Sequence, residues 1–119
     1  MYNELWATIK KEITELLLKE PDLANYLSKR ILAHGDLASA MSALLSGKLA
    51  AEDMPAQTLK AVFDEALRTD LSIIETTTKD LLAIRERDPA VKSYSTAILY
   101  FKGFQALQAY RVAHWLWQQ

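Results

Sequence analysis

His114 is the residue in this chain that most invites a chemical role. It lies one helical turn beyond Tyr110 and three residues beyond Arg111, so on a helix the three side chains share a face and can touch. Proton transfer also needs an oriented partner in a cleft, and a hydrogen-bonded structural imidazole is the better reading. His34 precedes Gly35 at a helix end, where a cationic ring meets the favourable end of the helix dipole; it reads as structural. Arg111, set among aromatic residues, is expected to pair with a carboxylate or to stack on a ring. Asp80 and Glu75 are both available partners, and sequence does not choose between them. The run Arg85-Glu86-Arg87-Asp88 alternates in sign as solvated helix ends do, and Asp88 stands where an aspartate ends a helix before proline. Trp115 and Trp117 either complete a core or present a contact surface. With no cysteine, disulfides and thiolate metal sites are excluded. No glycine-rich phosphate loop or metal-ligand cluster is visible, so an enzyme complete within these residues is a weak reading.

The elements that must position these groups follow from composition and periodicity. The chain has 119 residues, one domain's worth. Half are hydrophobic and 24% are charged, an ordinary globular balance with a modest core. With 14 basic and 15 acidic residues the net charge is -1, so there is no basic excess for a nucleic acid. The N-terminus lacks a basic segment followed by an apolar run. No apolar stretch approaches the roughly 20 residues of a membrane span.

Three glycines and three prolines punctuate the sequence, and period-2 alternation is nowhere sustained. The chain is therefore expected to be all-α, a compact bundle of about six helices. Steps of three and four place Tyr2, Trp6, Ile9, Ile13, Leu16 and Leu17 on one face of a first helix, Tyr2 to Lys19. Lys10, Lys11, Glu12 and Glu15 fall on other faces and read as solvated. Glu20-Pro21 opens a second helix carrying Leu23, Tyr26, Leu27 and Ile31, which Gly35 ends in a left-handed conformation. Asp36 caps a third helix with Leu37, Met41, Leu44 and Leu45, fraying near Gly47. Asp53-Met54-Pro55 repeats the cap-then-proline signal before a fourth helix with Leu59, Val62, Phe63, Ala66 and Leu67. Asp70 starts a fifth helix, weakened by the β-branched run Thr76-Thr77-Thr78 and ended by Asp88-Pro89. Ala90 to Thr96 reads as a loop. A long apolar helix from Ala97 to Gln118 closes the chain. Its apolar residues cover nearly every direction, so it is either central or faces a partner or another domain.

Arg87-Asp88-Pro89-Ala90-Val91, Tyr94-Ser95, Leu99-Tyr100-Phe101-Lys102-Gly103-Phe104, Ala106-Leu107-Gln108-Ala109-Tyr110-Arg111 and His114-Trp115-Leu116-Trp117 follow one another in that order. With this spacing the chain resembles the N-terminal helical domain of bacterial serine O-acetyltransferase. The likeness spans almost all of the chain, loosely over the first helices and tightly from Ile84 onward. It makes residues 1–119 the N-terminal helical domain, with the catalytic left-handed β-helix domain absent from this chain. No six-residue repeats appear within it.

The resemblance implies an acyltransferase of cysteine biosynthesis that moves acetyl from acetyl-CoA to the L-serine hydroxyl, giving O-acetylserine. The catalytic histidine and its aspartate belong to the β-helix, so no catalytic residue is expected here. Asp88, with Pro89, would line the serine site and pair with the substrate ammonium by a charge-assisted hydrogen bond. Arg111, His114, Trp115 and Trp117 would be structural or interface residues, the tryptophans at the junction with the β-helix. The family forms trimers that pair into a hexamer through these N-terminal helices, and a C-terminal tail docks into cysteine synthase. The implied setting is the cytoplasm, with no metal, no bound cofactor, no nucleic acid and no membrane. The fragment alone is expected to release no CoA from acetyl-CoA and serine. The competing reading is a stand-alone helical assembly or adaptor module without catalysis; the reading frame beyond Gln119 discriminates the two.

Overall fold

In a computed structural model the chain is described over residues 2–88, 90, 91 and 93–119. The described residues are helical throughout, with no strand among them. Helix α1 (Tyr2–Lys19) buries Leu5, Trp6, Ile9 and Ile13 and half-buries Leu16 and Leu17, the face its spacing predicts. Glu12 departs from expectation: its side chain is only 16% exposed. The second helical segment is composite. A 3-10 turn (Pro21–Leu23), a single α turn α2 (Ala24–Leu27) and a π turn (Ser28–Leu32) run in succession. The wide turn closes through Ala33 N–H donating to Ser28 O at 2.8 Å. Gly35 is not left-handed, since no glycine has positive φ; the π turn ends the helix without it. Tyr26, expected inside, is exposed and receives the Arg30 guanidinium 5.6 Å above its ring.

Asp36 caps α3 (Leu37–Leu49), its carboxylate accepting the Ser39 N–H at 2.8 Å. The helix passes Gly47 intact rather than fraying there. The Arg30 guanidinium lies over that glycine and would have to swing aside for a Cβ. Asp53 does not cap α4 (Ala56–Thr69). Pro55 takes the N-cap position, and the preceding turn is closed by Ala51 and Met54 exchanging backbone hydrogen bonds of 3.0 Å each. Asp70 does cap α5 (Leu71–Arg87), accepting from Ser72 N at 3.1 Å. The threonine run leaves α5 unbroken; the Thr76, Thr77 and Thr78 hydroxyls lie 2.7–2.9 Å from the carbonyls four residues back.

The C-terminal region is the main correction. No single long apolar helix runs from Ala97 to Gln118. Helix α6 (Tyr94–Tyr100) starts three residues earlier, capped by the Ser93 hydroxyl. The chain then breaks at Phe101, whose backbone is extended (φ -85°, ψ 99°), and α7 (Lys102–Trp117) follows. The break is sealed from inside: buried Gln105 donates from Nε2 to the carbonyls of Ile98 (2.8 Å) and Leu99 (3.0 Å). Two carbonyls that a continuous helix would pair are satisfied by one side chain. Nor is α7 buried all round. Phe104, Gln105, Gln108 and Val112 face inward, while Leu107, Tyr110, Leu116 and Trp117 are exposed.

The core gathers Ile9, Ile13, Leu27, Ile31, Met41, Leu44, Phe63, Leu81 and Ile98 from helices α1 to α6 and the π turn. Helices α3 and α4 share the most extensive contact, while α5 packs against α4, α6 and α7. No described helix is long and apolar enough to cross a membrane.

Candidate functional site

Asp88 follows the last residue of α5 with an extended backbone. Its N–H closes the helix on Ile84 O at 3.0 Å, and its carbonyl accepts from Val91 N at 3.0 Å. The residue is thereby held by the backbone on both sides, with Val91 buried beyond it. The carboxylate is exposed. One oxygen, Oδ1, accepts the Ala90 N–H at 3.0 Å. The other accepts no hydrogen bond among the described residues. Pro89, expected to share the site, lies outside those residues.

The carboxylate rims an open cleft of about 850 Å³. Ala83 and Ile84 of α5 form one wall; Phe101, Phe104 and Leu107 form the other; Asp80, Arg87 and Asp88 supply the polar rim. The second wall depends on the break at Phe101, which turns α7 away from the α6 axis and brings its first turns opposite the end of α5. An apolar trough with a few placed charges is the usual make-up of a small-ligand site. One fixed and one free carboxylate oxygen suit the capture of a cation that donates hydrogen bonds.

Asp80 joins the cleft to a polar network behind it. Arg111 Nη1 donates to Asp80 Oδ2 at 2.6 Å and to Gln108 Oε1 at 2.8 Å. Gln108 Nε2 donates to the same Asp80 oxygen at 3.1 Å, and the Thr77 hydroxyl lies 2.6 Å from Gln108 Oε1. Asp80, not Glu75, is therefore the arginine's partner. Gln108 and Thr77 are almost fully buried, and the network gives each a partner, as buried polar groups require.

The charged run divides at its two arginines. Arg87 and Asp88 reach the cleft. Arg85 turns the other way, its guanidinium 4.6 Å over the Tyr94 ring and 4.0 Å from Glu12. His114 does not join the cleft. Its exposed ring stacks on Tyr110 at 6.0 Å and 18° and has no hydrogen-bond partner among the described residues, so the expected hydrogen-bonded imidazole is not what the fold builds. His34 makes that bond instead, Nδ1 lying 3.0 Å from the Ser39 hydroxyl. Trp115 packs partly against the core, whereas Trp117 is 88% exposed.

A second hollow, about 450 Å³, opens beside Trp6, Asp36, Ser39, Asp64 and Arg68. Its acid is already occupied: Asp64 accepts from Lys60 Nζ at 2.9 Å. Burial pushes that carboxyl up, but the Ser42 hydroxyl, the Lys60 ammonium and His34 together outweigh burial and hold it below the usual aspartate range. Among the described residues no cluster of His, Asp and Glu could hold a metal ion. What sequence reasoning missed is Glu12, Gln105 and Gln108. No local signal marks them, because each meets a partner brought close only by the fold.

Fold and site define the class: an all-α module with an exposed carboxylate at a helix exit above an apolar cleft. The sequence model described as "Serine acetyltransferase, N-terminal" matches residues 5–109. The serine acetyltransferase of Haemophilus influenzae is 45% identical over 119 residues, covering 100% of this chain and 45% of that protein. A solved serine acetyltransferase in complex with CoA superposes with a TM-score of 0.96 at 44% identity, covering 100% of this chain and 51% of that one. Soybean serine acetyltransferase complexed with serine gives 0.95 at 42% identity, covering 99% and 49%. The chain belongs to the serine acetyltransferase family and spans about half the length of the curated relatives it matches.

Proposed function

We propose that residues 1–119 are the N-terminal helical domain of a cytoplasmic serine O-acetyltransferase, and that Asp88, with Pro89, forms the wall of its serine site. The parent enzyme joins the acetyl carbon of acetyl-CoA to the serine hydroxyl oxygen. The C–S bond breaks, the hydroxyl proton passes to a base on the β-helix domain, and CoA leaves as the thiol. This domain supplies position rather than proton transfer. The observation that carries the reading is the state of Asp88: exposed at the rim of an apolar cleft, with one oxygen anchored on Ala90 N–H and the other accepting no hydrogen bond among the described residues. A serine ammonium donating to that oxygen fixes the amino acid by its α-nitrogen and leaves the hydroxyl to face the neighbouring domain. Two related enzymes solved with serine and with CoA support these substrates.

The exposed side of α7, with Tyr110, His114 and Trp117, is the surface for the β-helix junction or for another subunit, and Arg111 and Trp115 brace it from within. In this reading the complete protein is a hexamer of two trimers joined through these helices, and a C-terminal tail engages cysteine synthase. The test is Asp88→Asn in the complete enzyme. Losing a hydrogen bond to a charged group costs about 1.5–3 kcal/mol, so KM for serine should rise by roughly tenfold or more while KM for acetyl-CoA stays put. Unchanged serine kinetics would remove Asp88 from the site.

A further inference from the structure

Glu12 is far from the cleft in sequence and does not line it, yet its carboxylate holds both ends of the segment that carries Asp88. From α1 its Oε1 accepts the N–H of Ser95 at 3.1 Å and its Oε2 the N–H of Tyr94 at 3.3 Å, across 83 and 82 residues. These are the first two N–H groups of α6, which have no partner within the helix; the Ser93 hydroxyl takes the third, that of Thr96. The same Oε2 lies 4.0 Å from Arg85 Nη1 at the end of α5. Arg85 closes the ring by lying 4.6 Å over Tyr94. Asp88 sits between Arg85 and Tyr94, so one carboxylate from α1 fixes the chain on either side of it.

We infer that Glu12 is a positioning residue for Asp88: it sets where the free carboxylate oxygen stands, and so governs serine capture without touching serine. The inference rests on the reading of Asp88 as the partner of the serine ammonium. Its physical basis is the short reach of a hydrogen bond, which is lost once donor and acceptor stand more than about 3.5 Å apart or out of line. Without Glu12, two backbone N–H groups lose their acceptor and the turn loses its tie to α1. The cleft walls on α5 and α7 are unaffected, because Gln105 and the Asp80–Arg111 pair hold them independently.

The test compares Glu12→Ala, Asp88→Asn and the double variant in the complete enzyme, measuring KM for serine and for acetyl-CoA. Glu12→Ala should raise KM for serine about tenfold and leave that for acetyl-CoA within about twofold; on the Asp88→Asn background it should add less than about twofold, because both changes act through one group. Equal rises on the two backgrounds would show that Glu12 does not work through Asp88 and would overturn the inference, as would a folded Glu12→Ala enzyme with wild-type serine kinetics. If Asp88→Asn alone leaves serine kinetics unchanged, the serine-site reading fails first. Should Glu12→Ala not fold, Glu12→Gln carries the test: it keeps one acceptor oxygen and should give a rise of about threefold in KM for serine alone, and no change would overturn the inference.

Discussion

Arg111 shows how one side chain is made indispensable. Its guanidinium donates to Asp80 and Gln108, and Gln108 in turn takes the Thr77 hydroxyl. Both members of the ion pair keep about a quarter of their surface exposed or less (21% and 26%), so the pair lies between an exposed bridge and a dry one. Arg111→Met should cost about 1–3 kcal/mol in urea unfolding, since it strips Asp80 of its cation and leaves Gln108 Oε1 one donor short. Adding Asp80→Asn should recover part of that loss; a cost below about 0.5 kcal/mol would class the pair with ordinary surface bridges. At this scale legibility depends on sequence distance. Asp88 is visible because its motif and the helix exit coincide. Asp80 is visible only as one of two partners for Arg111. Glu12 looks like any solvated glutamate on α1, since the N–H groups it accepts lie more than eighty residues away.

Where helices begin was largely written in their caps, while their interruptions were not. Asp36 and Asp70 cap α3 and α5 with their side chains, as residue type and position lead one to expect. The break between α6 and α7 carries no proline. Phe101 falls in the apolar pattern with Ile98 and Phe104, so the run from Ala97 to Gln118 reads as one helix. What makes the break affordable is Gln105, a residue whose type says nothing of its role until its amide is seen against Ile98 O and Leu99 O. Gln105→Ala should therefore destabilise the domain by about 1–3 kcal/mol, the penalty for leaving buried carbonyls unpaired. The loss should appear as a lower urea midpoint with little change in slope, because compactness is preserved. A neutral result would mean that water reaches those carbonyls. The π turn over Ser28–Leu32 was likewise invisible, because periodicity does not distinguish a wide turn from an α turn within five residues.

The molecule as a whole is a 42 × 31 × 23 Å helical body with one side of its last helix left apolar. Leu107, Tyr110 and Trp117, on one side of α7, are all more than 40% exposed, and exposed apolar clusters mark contact surfaces. That face agrees with a chain spanning about half the length of its relatives. The all-α class was legible from the sparse glycine and proline punctuation, and the lineage from the ordered motifs after Ile84. The cleft was not, since it needs the break at Phe101 to turn α7 across the end of α5. On the proposed reading this helical half presents one carboxylate to the substrate of the other half. A crystal structure of the complete enzyme with serine bound tests this: the serine ammonium nitrogen should stand within ~3.2 Å of the Asp88 oxygen that Ala90 does not hold. Serine bound with its ammonium on other groups, and Asp88 open to solvent, would contradict it.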